Sequence, residues 1–442
     1  MYKEPLKMLV LIVLVITSCI LTYKAWSFQP EFKRINTTLT TAPSTSQGEP
    51  VEFRTIMRTY QVIHVEDNRT KGTMDQGTLV SMREFLEGSK INLSGKPQKI
   101  NALKLEATKD TNENFMIVDY LSELPARSLF NLLGIDIDEE MTEYNFDRVL
   151  IDLNRDKVVF NLLNEKRTEF VSYETNVNTE KLIGVLNHNQ KEFEDYTSII
   201  TNDRTSNTLT AIYGPTSPGR KKIQQFIPST INVNALNESL FSDEEITTRQ
   251  EDNFTIYESE TGLATYSSET YGYSYTNLKE TRDNERSPHR TIEKSFVFLN
   301  GHMGLSSRYL LFGYDRDRDE VTYRQTLNDY VVFSDEIATE IKISAGKNTV
   351  MQYDRPMIQI NAILPTDESL ELTDIETIRY NIASSEDYDL TKVSKLIVAY
   401  DMHFAKEQTE LNTIEYTPAW YVLYDGEWRK FEGSDIDDLE AY

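Results

Sequence analysis

Residues 148–163 read RVLIDLNRDKVVFNLL, two apolar segments on either side of a short polar turn. Arg148 to Leu153 and Lys157 to Leu163 have the composition of strands, and Asn154-Arg155-Asp156 is typical of a turn. The pattern predicts a β-hairpin. Just upstream, proline in the first turn and Gly134 after the last residue predict a helix from Pro125 to Leu133.

Strand and helix patterns continue on both sides of this hairpin without the regular strand-helix-strand spacing of a doubly wound sheet. The sequence therefore predicts an α+β fold. The other predicted elements are strands at Tyr60 to Glu66 and Phe115 to Leu121, helices at Thr78 to Leu86, Ile375 to Ile382 and Leu390 to Tyr400, and hairpins at Tyr309 to Gln325 and around Asp425-Gly426.

Composition excludes several classes of protein. The chain has 442 residues and a net charge of −25, so nucleic acid is not an expected partner. Its single cysteine, Cys19, rules out an intramolecular disulfide and any metal site built from several cysteines. A chain of this length is expected to form about three globular units.

Near the N-terminus, Leu6 to Tyr23 read LKMLVLIVLVITSCILTY. As a helix this segment is roughly 27 Å long, close to the thickness of the bilayer hydrocarbon core. We predict a transmembrane helix over residues 6–26, a cytoplasmic tail at 1–5 and an extracellular C-terminal bulk. A lipoprotein attached through Cys19 and a cleaved signal peptide remain alternatives.

The rest of the chain is predicted to form several domains. Residues 36–50 are rich in Thr, Ser and Pro and are expected to be a flexible tether. Polar breaks at residues 202–207 (NDRTSN) and 279–288 (KETRDNERSP) divide the remaining chain into an N-terminal extracellular domain at 51–205, a middle domain at 206–287 and a C-terminal domain at 288–442.

Neither catalytic nor metal chemistry has a recognisable pattern. The five histidines, at 64, 188, 289, 302 and 403, include no HxH or HxxxH pair. Asp315, Asp317 and Asp319 resemble the start of a calcium loop, but Glu320 replaces the required glycine, so a polar hairpin tip is expected. The motifs of hydrolases, phosphate-binding loops and metalloproteases are missing. We predict no catalytic residue, no metal and no cofactor, and expect the protein not to be an enzyme.

A row of tyrosines leaves two interpretations. Tyr271, Tyr273 and Tyr275 alternate with small or polar residues, so a strand would place the three rings on one face. Packing against neighbouring strands is the favoured interpretation. The alternative is a platform for wall glycans.

The predicted membrane helix carries one candidate contact face. Leu11, Val15, Ser18 and Thr22 are spaced by four, three and four residues, which places them on one stripe. Membrane helices associate through close packing, which small and hydroxyl residues favour. This stripe is our candidate partner-contact site.

Three further segments together resemble a known family. They are Tyr23-Lys24-Ala25-Trp26-Ser27-Phe28-Gln29-Pro30 after the apolar run, Phe226-Ile227-Pro228 with Leu240-Phe241-Ser242-Asp243, and Tyr416-Thr417-Pro418-Ala419-Trp420-Tyr421-Val422. The chain resembles the YycH (WalH) family, membrane-anchored accessory proteins of the WalK (YycG) sensor histidine kinase in low-GC Gram-positive bacteria.

The resemblance implies a non-enzymatic regulator of an essential two-component system that controls genes of cell-wall metabolism. The partners it implies are WalK, the similar protein YycI and the membrane, with the middle and C-terminal domains resembling YycI in fold. It does not tell whether the kinase is activated or inhibited. The alternative from a different class is a wall-facing glycan-binding module or wall-modifying lipoprotein.

Overall fold

The computed structural model describes residues 51–66, 69–92, 96–103, 113–135, 144–199, 211–241, 244–283, 287–304, 309–385, 388–405 and 413–431. The predicted tail, membrane helix and tether, together with the stripe of Leu11, Val15, Ser18 and Thr22, lie outside these residues. Within them, no helix combines the length and apolar content needed to cross a bilayer. The membrane helix therefore stays a prediction.

The hairpin at residues 148–163 lies within an antiparallel sheet that has ten strands among the described residues. Strands β6 and β7 pair with Arg148 opposite Leu163, as the sequence predicts. The spatial order is β10-β9-β2-β1-β5-β6-β7-β8-β3, with β4 also paired to β8. The strands are β1 (Gln61–Glu66), β2 (Arg69–Thr73), β3 (Ile91–Asn92), β4 (Gln98–Lys99), β5 (Asn114–Pro125), β6 (Asn145–Asp152), β7 (Lys157–Leu163), β8 (Glu169–Asn178), β9 (Glu194–Ile199) and β10 (Ile212–Pro215).

Both faces of this first sheet are buried. Met116 and Val149 pack in one apolar cluster together with the helices, whereas their neighbours Ile117 and Leu150 pack in another on the opposite face. Because successive side chains of a strand point to opposite faces, a strand covered on both sides needs apolar residues at every position. This explains the nearly continuous apolar runs of the central hairpin.

The helices of the described residues are short. They are α1 (Phe53–Ile56), α2 (Gln76–Leu86), α3 (Ala126–Leu132), α4 (Thr179–His188), α5 (Val233–Phe241), α6 (Pro288–Gly301) and α7 (Ile375–Ser384). Asp75 caps α2 by accepting a hydrogen bond from the Thr78 N–H at 2.7 Å. Pro125 precedes α3 instead of lying in its first turn, because it still pairs with Asn145 as the last residue of β5.

The second sheet has fourteen strands among the described residues and contains a single parallel pair, β19 with β24. Its order is β13-β14-β15-β16-β21-β20-β18-β19-β24-β25-β12-β22, with β17 on β18 and β26 on β25. Residues 206–287 and 288–442 both contribute strands to it, while β10 belongs to the first sheet. The predicted domain boundaries stay predictions.

The ranges of the remaining strands, from the second sheet and from the separate β11–β23 ribbon, complete the element order. They are β11 (Arg220–Lys222), which pairs only with β23 in a separate ribbon, β12 (Gln224–Thr230), β13 (Thr247–Glu251), β14 (Phe254–Glu258), β15 (Gly262–Ser267), β16 (Gly272–Asn277), β17 (Tyr309–Asp315), β18 (Glu320–Leu327), β19 (Tyr330–Phe333), β20 (Glu340–Ala345), β21 (Val350–Pro356), β22 (Ile358–Leu364), β23 (Ser369–Glu371), β24 (Val393–Phe404), β25 (Ile414–Tyr424) and β26 (Glu427–Lys430).

One predicted helix is wrong. The segment Leu390 to Tyr400 forms a single 3-10 turn at Leu390–Lys392 and then strand β24. Along this strand Leu396 and Val398 enter one apolar cluster, whereas Ile397 and Ala399 enter another. A strand with one exposed face shows alternating apolar and polar residues, but a strand buried on both faces is apolar throughout. A continuous apolar run of this kind does not distinguish a strand from a buried helix.

The last hairpin agrees with the prediction. Strands β25 and β26 pair with Tyr424 opposite Glu427. Asp425 and Gly426 have φ values of 50° and 86°, the left-handed conformation that a two-residue turn joining antiparallel strands requires.

Candidate functional site

Within the described residues, no group of His, Cys, Asp and Glu is arranged to hold a metal ion. Four of the five histidines each contact a different partner. These contacts are His64 to Asn114 at 3.0 Å, His289 to Ser128 at 3.3 Å, His302 to the Phe298 carbonyl at 2.8 Å and His403 to Glu415 at 3.3 Å.

The aspartate-rich segment 315–319 is a hairpin tip between β17 and β18, as predicted. Asp315 accepts hydrogen bonds from the backbone N–H groups of Asp317 at 2.8 Å and Arg318 at 3.0 Å. Asp319 turns inward and accepts from Tyr314 Oη at 2.7 Å. The carboxylates thus stabilise their own turn.

Two residues of the tyrosine row are part of the core. Tyr273 donates to Asn237 Oδ1 at 2.6 Å, and both Tyr273 and Tyr275 are buried against α5. Tyr271 precedes the strand with a φ of 54° and contacts Phe404. The packing interpretation is therefore confirmed for Tyr273 and Tyr275, whereas Tyr271 lies outside strand β16 and is only partly buried.

A group of buried charges connects the two sheets. We call it the inter-sheet joint and define it as Asp119, Asp147, Arg148, Arg167 and Lys395. Asp147 of β6 forms ion pairs with Arg167 and with Lys395 of β24. Lys395 also donates to the Tyr120 carbonyl at 3.0 Å. Because both long cations converge on one carboxylate, the joint couples the central hairpin of the first sheet to the middle of the second.

The pKa of Asp147 reflects a balance between burial and charge at this joint. Asp147 is 1% exposed, and burial alone would raise its pKa. The charges and hydrogen bonds of Arg167 and Lys395 outweigh burial and hold the pKa of Asp147 well below its usual range. The carboxylate is therefore ionised whenever the protein is folded near neutral pH.

A second ion pair extends the joint within the first sheet. Arg148 binds Asp119 through two hydrogen bonds of 2.6 and 3.0 Å. Arg148 also donates to the Ala211 carbonyl at 2.8 Å, and Gln61 donates to Asp119 and to the Tyr213 carbonyl, each at 3.1 Å. The backbone that comes after the undescribed residues 200–210 is thereby attached to the centre of the sheet.

Two polar contacts join the sheets at their margins. Arg58, just before β1, reaches Asp329 at 3.3 Å and Thr326 Oγ1 at 3.1 Å in the β18–β19 turn. Val51 and Asn300 of α6 form reciprocal hydrogen bonds of 3.2 and 3.0 Å through the backbone of Val51. The N-terminal end of the described chain is therefore attached to helix α6 and to the β18–β19 turn.

Beside the joint, an open cleft of about 1750 Å³ lies between the sheets. Leu121, Ser122, Glu123 and Glu165 of the first sheet form one wall. The second sheet supplies the rest, with residues of β17, β18, β20, β21, β25 and β26.

A stack of aromatic rings supports the floor of the cleft. The Arg324 guanidinium lies 4.1 Å from the ring centre of Phe333 and 4.5 Å from that of Phe312. Phe333 stacks on Tyr421 at 4.1 Å, and Trp428 contacts both phenyl rings. Arg324 also pairs with Glu340. Burial lowers the pKa of Arg324 to about 9, so the guanidinium remains charged at neutral pH.

The pKa values of two carboxyls in the cleft, Glu165 and Asp354, are raised, whereas the pKa of Asp147 is lowered. Burial raises the pKa of Glu165, and the nearby charges of Asp147 and Glu123 act in the same direction against the attraction of Lys395. Burial also raises the pKa of Asp354. For Asp354, hydrogen bonds from Ser274 and Gln352 and the charge of Lys342 act against burial. In both groups burial outweighs the attraction of the nearby cations.

The fold and the cleft define an α+β scaffold built from two coupled sheets, and comparisons with known families agree with the predicted resemblance. The model of the YycH protein, N-terminal domain, matches residues 4–191, and that of the YycH protein, C-terminal domain, matches residues 209–434. The chain belongs to the YycH family. Members of this family are regulatory accessory proteins, which supports a general regulatory role in the WalK pathway.

One solved structure agrees with this fold. YycH from Bacillus subtilis superposes with a TM-score of 0.68 at 14% sequence identity, over 87% of this chain and 98% of that one. An uncharacterized protein from Eubacterium rectale gives a TM-score of only 0.34 at 10% identity, over 55% of this chain and 92% of that one. A search of curated proteins found no match.

Sequence reasoning missed both the joint and the cleft. Asp147 and Lys395 are 248 positions apart, and neither belongs to a local motif. The one available signal was the presence of charged residues inside otherwise apolar strands, Asp147 and Arg148 in β6 and Lys395 in β24. A charge within a strand buried on both faces needs a partner.

Proposed function

We propose that this protein modulates the WalK (YycG) histidine kinase through membrane and extracytoplasmic contacts together with YycI, and thereby controls genes of cell-wall metabolism. In this proposal it acts by binding and not by catalysis. The observation that supports it best is the match of the two YycH domain models, which together span most of the chain.

The contacts that couple the two sheets support a role as a regulator that acts by binding. A regulator that combines membrane and external contacts must hold its external surfaces in a defined arrangement. The ion pair between Lys395 and Asp147 provides this, because the two residues belong to different sheets and each charge would lose its partner if the sheets separated.

Reconstitution tests the proposal directly. WalK in proteoliposomes is expected to change its rate of autophosphorylation when the full-length chain and YycI are added together. A matched addition of heat-unfolded chain controls for lipid effects. An unchanged rate with correctly inserted, folded chain would refute kinase modulation.

We also propose that the chain crosses the membrane once, with the N-terminus in the cytoplasm and the bulk outside. A phosphatase fused after Pro50 is then expected to be active, and trypsin added to protoplasts should digest the external part. Protection from trypsin would contradict this orientation, and lipid attached to Cys19 would support the lipoprotein alternative.

A further inference from the structure

We infer that His289 is a pH-sensitive latch between helices α3 and α6, closed at neutral pH and loosened when the surroundings become acidic. The latch consists of His289 on α6 together with Ser128 and Asn131 on α3. The inference rests on these side chains and their charged neighbours, and it does not depend on the proposed action on WalK.

Helix α6 contacts elements of the first part of the chain near both of its ends. Towards its C-terminal end, Asn300 bonds to the backbone of Val51, and Phe296 packs on Phe53 with ring centres 5.4 Å apart. At its N-terminal end the latch joins it to α3, the helix that follows β5. Of these two contacts, only the latch contains a titratable side chain.

The hydrogen bonds of the latch match a neutral imidazole. His289 Nδ1 lies 3.3 Å from Ser128 Oγ, and His289 Nε2 lies 3.4 Å from Asn131 Nδ2. A neutral ring has one N–H and one lone pair, so Nε2 can accept from the Asn131 amide while Nδ1 donates to the hydroxyl. Protonation replaces the lone pair by a second N–H that faces a donor. The contact with Asn131 is then lost unless that amide rotates.

The surroundings of the ring also oppose protonation. Burial lowers the pKa of His289, and the positive charges of Arg127 on α3 and Arg290 on α6 lower it further, against the attraction of Glu293. The Glu293 carboxylate is 4.0 Å from Nε2, but its side chain is 68% exposed, so solvent screens it. His289 also follows Pro288 at the start of α6, where the helix dipole is positive.

The direction of the effect follows from these contacts. Because the pKa of His289 is lower in the closed latch than in an open one, the open latch binds a proton more readily. The latch therefore has its full strength above the ordinary histidine pKa of about 6.5 and weakens as the pH falls below it. Acid should loosen α3 and the first turns of α6, whereas the distant helix α7 should not respond.

Hydrogen-deuterium exchange of the full-length chain in uncharged detergent tests the inference, with mass spectrometry of peptides from α3 and α6. The unmodified chain and His289→Gln are compared at the same pH, so that the intrinsic pH dependence of exchange cancels. Between about pH 7.5 and about pH 5, the ratio of their exchange rates, unmodified over variant, should rise at least about twofold. Peptides from α7 are the internal reference, and their ratio should stay constant.

Two further variants separate the latch from general effects of acid. His188→Gln makes the same substitution at an exposed histidine of α4, and the ratio in α3 and α6 should then stay flat with pH. Asn131→Asp places a carboxylate opposite Nε2 and should abolish the acid loosening, because it stabilises the imidazolium. Asn131 is exposed, so this substitution should leave the fold intact.

NMR of the full-length chain with isotope-labelled histidine measures the titration of His289 itself. Its signal is the one that His289→Gln removes, or His289→Asn should the first variant unfold. The pKa should lie below about 6.5 in the unmodified chain and rise in Asn131→Asp. A pKa at or above that value, an exchange ratio that stays flat with pH, or acid loosening that persists in Asn131→Asp would each overturn the inference.

Discussion

Lys395 Nζ donates to the carbonyl oxygen of Tyr120 at 3.0 Å, although the two residues are 275 positions apart in the chain. The same ammonium forms an ion pair with Asp147. One side chain of the second sheet thus satisfies a backbone acceptor and a buried carboxylate of the first. This relationship makes Lys395 the most sensitive position of the inter-sheet joint.

Lys395→Met should lower the free energy of unfolding by about 3 kcal/mol, because it leaves Asp147 and the Tyr120 carbonyl without a donor they depend on. Urea unfolding followed by tryptophan fluorescence measures this, since Trp420 is fully buried in the second sheet. Lys392→Met is the matched control. Lys392 pairs with Asp425 at 3.3 Å on an exposed surface, where solvent screens the pair, so its replacement should cost much less than that of Lys395. Equal effects of the two substitutions would contradict the structural role of the joint.

Asp354→Asn should stabilise the protein at neutral pH. Burial raises the pKa of Asp354 above its unfolded value, so ionisation opposes folding once the pH exceeds both values. Below the unfolded pKa of about 3.9 the aspartic acid is neutral in both states, and the advantage of the variant should vanish. The measurement is urea unfolding of the unmodified chain and of the variant at several pH values from 7 downward. The difference between their free energies of unfolding reports on residue 354, because all other titrating groups are the same in the two proteins. A stability difference that does not shrink with falling pH would contradict the assignment.

Phe333→Ala should destabilise the protein by about 3–4 kcal/mol. The phenyl ring is 6% exposed, covers the Arg324 guanidinium and stacks on Tyr421. Removing it leaves a cavity and exposes one face of the cation. Phe254→Ala provides the comparison at a site that is 50% exposed, where a change within about 0.5 kcal/mol is expected. Thermal unfolding of both variants distinguishes the outcomes.

Ser18→Leu/Thr22→Leu should preserve membrane insertion while it changes transcription that depends on the kinase. Leucine keeps the segment hydrophobic but fills the small-residue face through which membrane helices approach each other. Leu11→Ile/Val15→Ile, on the same stripe, retains bulk and serves as the control. Normal regulation by the Ser18/Thr22 variant would show that these two hydroxyl positions are not needed for contact.

Local sequence signals predicted many of the elements. The hairpin around Asn154-Arg155-Asp156 and the Asp425-Gly426 turn were predictable because turn residues adopt backbone conformations that few other residues tolerate. Helix α7 was predictable from apolar residues at helical spacing. Strand β24 was not, because a strand buried on both faces loses the alternation that identifies it.

The cleft and the joint could not be predicted in the same way. Glu165 lies in an ordinary polar turn of the sequence, and Asp354 is one of 71 acidic residues. What distinguishes them is a raised pKa caused by burial, and this burial depends on strands that are distant in the chain. The tyrosine row shows the converse, since its regular spacing indicated a shared face but not whether that face was exposed.

The sequence by itself determined the α+β class, the turns and the family, because these depend on short-range backbone preferences and on local motifs. Tertiary structure alone decided that Asp147 would meet both Arg167 and Lys395, and that Glu165 and Asp354 would line one cleft between two sheets. The physical reason is that electrostatic energy depends on distance and burial in space, whereas a sequence specifies only separation along the chain.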